Sequence, residues 1–309
     1  MISMDYELAI IGAGPAGYSA AIYAVRSGIK TVVFDKGAGG GLAAVAPFIE
    51  NYPGFESISG LDLMEKMKVH ASKYIKINFN EEVKKIVKKD EDFVIETDKQ
   101  KYFVKAVILC TGSNYRKLDV SGEKELFGKG VSYCATCDGY FFKGKNVAVI
   151  GGGNTALAEA VFLKQVGCKN VYLIHRRDRL RGEKAYKDEI IKKGIKVIYE
   201  THVEAIFGKE KVEHLELHNV KTNKITRLAL DGVFVSIGEE PQNFLAKELG
   251  CKLDEKGYVV VDKQQRTNVK GVYAAGDITG GLRQVITACA EGAVAAFISV
   301  EVLGKKYPY

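Results

Sequence analysis

The hydrophobic pattern of the chain contains the same arrangement of strand, glycine turn and helix twice. The first copy opens with an unbroken apolar run at residues 8–11, which is typical of a parallel strand buried on both faces. A glycine-rich turn at 12–17 follows, with a helical segment to about Arg26. A second apolar strand at 31–34 then ends at Asp35. This order predicts a strand–helix–strand unit in a parallel sheet.

The second copy repeats this order about 140 residues later. An apolar run at 147–150 leads into the glycine turn at 151–153, and a helical segment reaches about Val166. The strand 171–174 then ends at His175. Two such copies predict an α/β protein with two Rossmann-like nucleotide-binding domains, each doubly wound and three-layered.

The rest of the chain predicts how the two domains are connected. Short β-rich runs separated by charged turns, at 83–107 and 196–230, indicate antiparallel sheets. The last seventy residues return to an α/β pattern, with a strand at 272–275 and a long apolar helix at 284–302. We therefore predict that the second domain is inserted in the first. The domains are then 1–114 with 240–309, and 115–239.

Composition and charge exclude several classes of protein. The chain has 309 residues and a formal net charge of +7. A nucleic-acid-binding protein would concentrate basic residues on one face, whereas here lysines alternate with acids, as in 81–85. The late apolar run 292–300 is bounded by glutamates and is shorter than the roughly 20 residues of a membrane span. With no signal-peptide pattern at residues 1–7, we expect a cytoplasmic protein without nucleic-acid or membrane partners.

The first glycine turn has the spacing Gly12-x-Gly14-x-x-Gly17. Gly12 permits a tight turn, Gly14 lets backbone N–H groups approach a pyrophosphate, and Gly17 lets the helix pack closely on the sheet. Asp35, at the end of the next strand, is placed to accept hydrogen bonds from ribose hydroxyls. The alternative is an ordinary glycine turn with a capping aspartate.

The second copy ends its strand in His175, Arg176 and Arg177 instead of an acid, and Arg181 follows. A carboxylate there would repel a 2′-phosphate, whereas guanidinium groups pair with it. The sequence therefore favours NADPH over NADH. The alternative is a solvated basic loop, because acids are interspersed with these arginines.

Cys134 and Cys137 form the one closely spaced cysteine pair, and Asp138 follows directly. Two cysteines three residues apart meet on one face if they open a helix, and a helix N-terminus lowers a thiol pKa. The pattern predicts a reversible disulfide with Asp138 as its proton donor and acceptor. The alternatives are half of a zinc site and two core cysteines that are close by coincidence. No second pair completes four ligands, so we expect no metal centre.

Taken together, these motifs resemble those of the low-molecular-weight thioredoxin reductases over essentially the whole chain. The motifs that carry the resemblance are 12–17, 40–42, 50–54, 111–112, 134–139, 151–156, 175–178, 272–277 and 283–285. The Cys-Ala-Thr-Cys-Asp-Gly run placed directly before the second glycine turn is the distinctive one. Asp35 stands where the family commonly has Glu, Gly41 where it has Gln, and Asn154 and Ala158 where it has acids.

The resemblance implies an FAD-dependent thioredoxin-disulfide reductase that acts as a homodimer. Electrons would pass from NADPH to FAD, to the Cys134–Cys137 disulfide, and to oxidised thioredoxin or a glutaredoxin-like protein. Cys137 would face the flavin and Cys134 would attack the partner disulfide. The implied FAD contacts are Gly12, Ala13, Gly14, Pro15, Ala16, Asp35, Lys36, Gly40, Gly41, Leu42, Asn51, Val83, Thr111, Gly112, Gly276, Asp277, Arg283, Gln284 and Val285. The implied NADPH contacts are Gly151, Gly153, Asn154, Thr155, His175, Arg176, Arg177 and Arg181.

Two other functions are compatible with the same motifs. One is the same flavin and dithiol enzyme with a different electron donor, such as a reduced deazaflavin or ferredoxin. The other is a flavin-binding redox sensor without turnover, which the intact cysteines and Asp138 disfavour. A ferredoxin–NADP reductase of the same fold would not need the cysteine pair.

Overall fold

The computed structural model describes residues 6–46 and 49–305, and the chain divides into two compact units. Unit 1 comprises Met1–Asn114 and Glu240–Tyr309, and unit 2 is Tyr115–Glu239. The strands are β1 (Leu8–Ile11), β2 (Thr31–Asp35), β3 (Ile77–Phe79), β4 (Val83–Lys89), β5 (Asp92–Thr97), β6 (Lys101–Val104), β7 (Ala106–Leu109), β8 (Ser113–Tyr115), β9 (Val131–Ser132), β10 (Asn146–Gly151), β11 (Asn170–Ile174), β12 (Lys196–Ile198), β13 (Thr201–Phe207), β14 (His214–Asn219), β15 (Ile225–Ala229), β16 (Gly232–Ser236), β17 (Glu239–Pro241) and β18 (Val272–Ala274). The α-helices are α1 (Pro15–Arg26), α2 (Gly60–Ser72), α3 (Ala135–Asp138), α4 (Asn154–Gln165), α5 (Lys184–Lys192), α6 (Phe244–Glu248) and α7 (Val285–Val302).

Unit 1 is built on a parallel sheet with strand order β18-β7-β1-β2-β3. All four residues of β1 are buried, because α1 and α7 cover one face of the sheet and the antiparallel sheet β4-β5-β6 covers the other. Leu8 and Ile10 belong to the helical side of the core, and Ala9 and Ile11 to the other side. This alternation is the two-sided burial that an unbroken apolar strand predicts.

Helix α7 has the length and apolar composition of a membrane span. In this fold it is a core helix of unit 1 that packs on α1. A Cβ added at Gly292 would lie 2.1 Å from the backbone oxygen of Ala16, so the two helices are in backbone contact there. The buried residues of α7 therefore belong to the core of unit 1. They include Ala295, Ala296, Ile298 and Val300.

Unit 2 repeats the architecture with strand order β12-β11-β10-β16-β9, all parallel. Helix α4 and its neighbours form one core with one face of the sheet, and the antiparallel sheet β13-β14-β15 forms a second core with the other face. The predicted α/β class with two three-layered Rossmann-like folds is confirmed.

Two details of the sequence prediction are wrong. The antiparallel region expected at 83–107 ends earlier, since β7 pairs in parallel with β1. Likewise β12, at the start of the region expected at 196–230, pairs in parallel with β11. The four residues of β7 are all buried, which marks a strand covered on both faces and not the alternating pattern of an antiparallel edge.

Candidate nucleotide-binding and redox sites

The glycine turn of unit 1 uses its three glycines in three different ways. Gly12 has a φ of +109°, and a Cβ there would lie 2.2 Å from the backbone oxygen of Cys110. A Cβ at Gly17 would lie 1.8 Å from the backbone oxygen of Gly12. By contrast, a Cβ at Gly14 would have no atom within 4 Å. Gly12 and Gly17 are therefore required by packing within the protein, and Gly14 borders open space.

That open space lies at the N-terminus of α1. Gly14 is the N-cap residue, no side chain caps the helix, and Pro15 occupies the first turn. The first N–H groups of a helix have no intrahelical partner, and with the helix dipole they favour an anion. A pyrophosphate fits this cradle in both shape and charge.

Asp35 lies beside the cradle at the end of β2, where the sequence placed it. Its two carboxylate oxygens accept hydrogen bonds from the backbone N–H of Ala13 and of Gly37, each at 2.8 Å. A carboxylate has about four acceptor positions, so two remain for a ribose. Lys36 is exposed next to it. Asp35 thus holds the glycine turn in place in addition to facing the ligand side.

A second group of predicted residues gathers on the other side of the glycine turn. The backbone N–H of Gly40, which has a φ of +87°, donates to the oxygen of Ala13 at 2.7 Å. Gly41 and Leu42 then begin a 3₁₀ turn, Gly41–Val45. A Cβ at Gly41 would approach only the Cα of Gly14, at 3.7 Å. The Gly40–Leu42 segment therefore adjoins the open side of the turn.

Residues far apart in sequence meet at the start of α7. The Asn51 amide nitrogen donates to the side-chain oxygen of Gln284 at 2.9 Å, and Gln284 caps α7, whose first residue is Val285. The Arg283 guanidinium lies 3.4 Å from the Tyr258 hydroxyl. Tyr258 was not predicted, because no local motif marks it.

The segment after β18 is hydrogen-bonded to Glu291, a residue that was not predicted from the sequence. The backbone N–H of Gly276 donates to Glu291 Oε2 at 2.7 Å, and the Thr279 hydroxyl lies 3.3 Å from the same oxygen. Burial raises the pKa of Glu291, and these two hydrogen bonds oppose the shift. Gly276 has a φ of +81°, so Glu291 fixes a left-handed residue directly before Asp277.

The remaining predicted residues of unit 1 make contacts within the fold. The Thr111 hydroxyl donates to the backbone oxygen of Gln242 at 2.7 Å, and Gln242 N–H donates to the oxygen of Gly112 at 2.9 Å. Val83 is buried in the core between the parallel and antiparallel sheets. Because the Val83 side chain is in the core, only its backbone is available to contact a ligand.

The glycine turn of unit 2 reproduces the geometry of the first. Gly153 is the N-cap of α4, has no side-chain cap, and a Cβ there would have no atom within 4 Å. A Cβ at Gly151 would lie 2.3 Å from the backbone oxygen of Ser236. Gly152 differs, since a Cβ there would lie 2.2 Å from Nδ1 of His175. The His175 ring is therefore a wall of this turn.

The His175 side chain is buried at the end of β11. Burial lowers the pKa of its imidazole, and the nearby Arg181 and Arg177 act in the same direction. Its Nε2 atom is buried without a hydrogen-bond partner among the described residues. The ring fills the space over Gly152.

The loop after His175 folds back over the N-terminus of α4. Arg181 N–H donates to the oxygen of Gly152 at 2.8 Å. The Asn154 side chain exchanges two hydrogen bonds with Glu183, each 2.7 Å long, while Thr155 is exposed beside it. Asn154 thus connects the loop to the start of α4. An acid at this position could not donate to the Glu183 carboxylate and would repel it.

This loop carries four exposed arginines, of which the sequence analysis named three. In the part of the chain that the structure describes, none of their guanidinium groups forms an ion pair with a carboxylate. They are Arg176, Arg177, Arg179 and Arg181. Four unpaired cations beside an open helix N-terminus make the electrostatic surroundings of this turn favourable to an anion.

Cys134 and Cys137 form a disulfide in the structure. Cys134 is the N-cap of α3, and Cys137 lies in that single turn, as the spacing predicted. Both cysteines are half-buried, and Thr136 between them is exposed. Because α3 has only four residues, its dipole is small and stabilises a cysteine thiolate only weakly. The chemistry of the cysteine pair then depends more on the neighbouring Asp138.

Asp138 is held against the disulfide turn by Ser132, which was not predicted. The Ser132 hydroxyl donates to Asp138 Oδ2 at 2.6 Å and accepts from the backbone N–H of Cys134 at 3.1 Å. Asp138 Oδ1 is buried with no partner among the described residues. Burial raises the pKa of Asp138, and the Ser132 hydrogen bond opposes this shift. The arrangement places a carboxyl group with a raised pKa next to the disulfide turn.

Comparison with known proteins agrees with this geometry. Residues 6–292 match the family described as pyridine nucleotide-disulphide oxidoreductase. The chain belongs to this family. Its match covers both glycine turns and the disulfide, so the family accounts for the two nucleotide-type folds and for the cysteine pair. It implies a flavin and a pyridine nucleotide, in agreement with the sequence analysis.

Among members of the pyridine nucleotide-disulphide oxidoreductase family, the relatives are thioredoxin reductases and similar proteins. The chain is 44% identical to the thioredoxin reductase of Treponema pallidum, over 94% of this chain and 95% of that protein. It is 41% identical to a 34.2 kDa protein in the rubredoxin operon of Clostridium pasteurianum, over 97% and 98% of the two chains. The predicted resemblance to the low-molecular-weight thioredoxin reductases is confirmed.

Two solved structures of this family are informative. Thioredoxin reductase from Streptococcus pyogenes is 37% identical, covers 98% of this chain and 99% of its own, and superposes with a TM-score of 0.91. A ferredoxin-flavin thioredoxin reductase from Clostridium acetobutylicum is 36% identical over 97% and 99% of the chains, with a TM-score of 0.53.

Proposed function

We propose that the protein is a thioredoxin-disulfide reductase that takes electrons from NADPH and uses FAD. Its protein substrate is oxidised thioredoxin or a glutaredoxin-like protein. The observation that carries the proposal is the Cys134–Cys137 disulfide with the buried carboxyl of Asp138 beside it, in a chain of this family. A flavin enzyme without a dithiol step has no use for that arrangement.

Unit 1 is proposed to hold FAD. The open N-terminus of α1 at Gly14 receives the pyrophosphate, with Asp35 and Lys36 at the ribose and adenine end. The Gly40–Leu42 segment, Asn51 and the 276–285 segment border the rest of the molecule. When bound, FAD accepts a hydride and passes two electrons to a disulfide. The residues of unit 1 bind and orient the cofactor and carry no proton chemistry in this proposal.

The dithiol of unit 2 is proposed to reduce the protein substrate in two exchange steps. The Cys134 thiolate attacks one sulfur of the substrate disulfide, which breaks that bond and releases the other substrate sulfur as a thiolate. Asp138 gives its proton to this thiolate. The Cys137 thiol then gives its proton to the Asp138 carboxylate, and the resulting thiolate attacks Cys134, re-forms the disulfide and releases the second substrate sulfur as a thiolate, which takes up that proton. Two electrons leave the enzyme and two substrate thiols form.

The test of the function is a spectrum followed by an assay. The purified protein should be yellow from bound flavin, and NADPH added without oxygen should bleach it. Oxidised thioredoxin should then restore the colour and gain free thiols. A protein that carries no flavin after expression with adequate riboflavin would remove the FAD assignment, and bleaching without thiol formation would remove the disulfide step.

Replacing Arg176 and Arg177 with alanine should raise the KM for NADPH about ten- to a hundredfold and leave the KM for NADH little changed. A hydrogen bond to a charged group contributes about 1.5–3 kcal/mol, and only NADPH has the 2′-phosphate. The measurement is steady-state kinetics with both nucleotides. Arg227→Ala is the matched control, because Arg227 is also exposed in unit 2 but pairs with Glu216.

If the unaltered protein prefers NADH or accepts neither nucleotide, the donor differs from NADPH. A reduced ferredoxin is then the second candidate. The specific observation in its favour is the similarity to the ferredoxin-flavin thioredoxin reductase. The exposed arginines speak for NADPH, and reduction of the bound flavin by ferredoxin and by NADPH, measured in parallel, separates the two donors.

Asp138→Asn should lower the rate of substrate disulfide reduction by about 10²–10⁴-fold, the usual contribution of general acid–base catalysis. Bleaching of the flavin by NADPH should be unaffected, since it does not use this proton. In Ser132→Ala, the alkaline limb of the pH–rate profile should lie at higher pH than in the unaltered enzyme. The Ser132 hydroxyl lowers the pKa of Asp138, so without it Asp138 keeps its proton to higher pH. An unchanged profile in Ser132→Ala would contradict the proton-donor role.

The raised pKa of Asp138 also predicts how the free energy of unfolding depends on pH. Burial raises its pKa in the folded protein above the unfolded value, so the folded state binds the proton more tightly. Its contribution to stability is then full below the unfolded pKa and is lost as pH rises through the folded pKa. Asp138→Asn should remove this decline, which denaturant titrations of both proteins across the acid to neutral range would detect.

Assembly and location are part of the same proposal. We propose a homodimer in the cytoplasm. Leu61 and Val69 on α2 are 66% and 52% exposed, and Phe55 lies close by in the sequence at 37%, which supports a second copy covering this side of unit 1. Sedimentation of the purified protein measures the oligomeric state.

A further inference from the structure

One face of the antiparallel sheet in unit 2 carries three metal-ligating side chains that the proposed function does not use. His202 on β13 is paired directly with His218 on β14. Their rings have centroids 4.9 Å apart and meet edge to face at 78°. Glu204 lies two residues beyond His202, on the same side of the strand. Three of the chain's five histidines lie on these two strands.

Glu204 lies in a β-bulge next to the two histidines. The strand register shifts between Val203 and Ala205, which leaves Glu204 as the extra residue of β13. Bulges re-aim the side chain that they carry. Glu204 Oε1 lies 2.7 Å from His202 Nε2 and 3.1 Å from His218 Nδ1. One ligand atom from each of the three residues lies within 4.8 Å of the others.

Asn223 fixes the orientation of the His218 ring. It lies in the turn between β14 and β15 with a φ of +59°, and its side-chain oxygen is 2.7 Å from His218 Nε2. A carboxamide oxygen only accepts, so Nε2 carries the hydrogen. The other ring nitrogen, Nδ1, then faces the Glu204 carboxylate. A cation held between Nδ1 and the Glu204 Oε1 atom, which are 3.1 Å apart, would contact both ligand atoms.

We propose that His202, Glu204 and His218 bind a divalent transition-metal ion of the Zn²⁺ class, with water completing the coordination. Two ligand atoms on a tetrahedral zinc ion, each at about 2.0–2.2 Å from it, are about 3.3–3.5 Å apart. The observed separations of 2.7 and 3.1 Å require the side chains to move apart by less than about 1 Å around an ion. The hydrogen bond from His218 to Asn223 is the outer-shell contact that metal-bound histidines usually make.

The surrounding charges are compatible with a cation. Glu216 lies on the same face of β14, two residues before His218, and its carboxylate pairs with Arg227 at 3.8 Å. The other nearby ion pair, between Lys221 and Glu200, is 3.6 Å long. Imidazole nitrogens select zinc, copper or nickel over Mg²⁺ and Ca²⁺, which prefer oxygen ligands. The site would join β13 to β14 and stabilise unit 2 without taking part in electron transfer.

The experiment is a zinc titration of the oxidised protein against a chromophoric chelator. Oxidised protein is used because the closed Cys134–Cys137 disulfide offers no thiolate to zinc. We expect one equivalent of zinc to bind and to raise the melting temperature, while Mg²⁺ does neither. His202→Gln and Glu204→Gln should each weaken binding by at least about tenfold, and Asn223→Ala by about ten- to a hundredfold.

The matched control is His70→Gln, which removes an exposed histidine of α2 in unit 1 and should leave zinc binding unchanged. Because the three ligands lie on the outer face of the sheet, their variants should melt at the temperature of the metal-free unaltered protein. Zinc binding that persists in His202→Gln/His218→Gln would overturn the proposal. So would an unaltered protein that binds no zinc. Neither outcome bears on the reductase proposal, which is tested with metal-free protein.

Discussion

Cys137→Ser should trap oxidised thioredoxin as a stable covalent adduct and lose essentially all turnover. The remaining Cys134 thiolate can attack the substrate disulfide, but no second thiol is left to resolve the mixed disulfide. The adduct is measured on a non-reducing gel and should disappear when a reductant is added. The flavin should still be present and should still be bleached by NADPH.

Cys134→Ser should lose turnover without forming the adduct, if the two cysteines have different roles. Cys289→Ser is the matched control, because Cys289 is a free, half-buried cysteine outside the pair, and it should keep full turnover. An adduct from Cys134→Ser and none from Cys137→Ser would reverse the assignment. Undiminished turnover in either single variant would remove the dithiol from the mechanism.

Gly14→Ala and Gly17→Ala should fail for different reasons, although both lie in one glycine turn. A Cβ at Gly17 would lie 1.8 Å from the backbone oxygen of Gly12, and backbone cannot move aside as a flexible side chain can. Forcing extra volume into a packed site costs about 1–3 kcal/mol or more. Gly17→Ala should therefore lower the free energy of unfolding and the yield of folded protein.

Gly14→Ala should keep the stability of the cofactor-free protein and lose FAD. The added methyl group meets no protein atom within 4 Å, and Gly14 has a φ of −85°, which alanine adopts readily. The methyl group instead enters the space at the N-terminus of α1. Flavin content after gel filtration and denaturant titration of the apoprotein measure the two effects. A Gly14→Ala protein that retains flavin would show that the pyrophosphate does not approach this residue.

The sequence predicted features that are coded locally. Each strand, glycine turn and helix of the two repeats occupies a continuous stretch, and the turn glycines lie where their spacing indicated. The partners that hold the sites were missed because they come from elsewhere in the fold. Glu291 reaches Gly276 from one side of α7, and Ser132 reaches Asp138 across the disulfide turn. Neither contact leaves a periodic or motif signal.

Asp35 illustrates a second limit. Its position at the end of β2 was predicted, but its hydrogen bonds to Ala13 and Gly37 depend on how the two loops approach each other. Likewise the bulge at Glu204 depends on the pairing between strands β13 and β14, and no residue type in β13 predicts it. Residue identity predicted the chemistry available, and tertiary contacts determined which atoms meet.

The insertion of unit 2 has a consequence for the order in which the chain folds during synthesis. Strand β7 gains its second neighbour only after β18 has been synthesised, since Val107 pairs with Val272. Helix α1 likewise gains its contact between Ala16 and Gly292 only after α7 has been synthesised. Unit 2 has no such delay, because residues 115–239 are continuous. Domains fold as units as they leave the ribosome. Unit 2 is therefore expected to fold first, while the parallel sheet of unit 1 stays incomplete until β18 and Gly292 have been made. During that interval the open edge of β7 is the part of the nascent chain most exposed to wrong pairing, and a chaperone that shields it would raise the yield of folded protein.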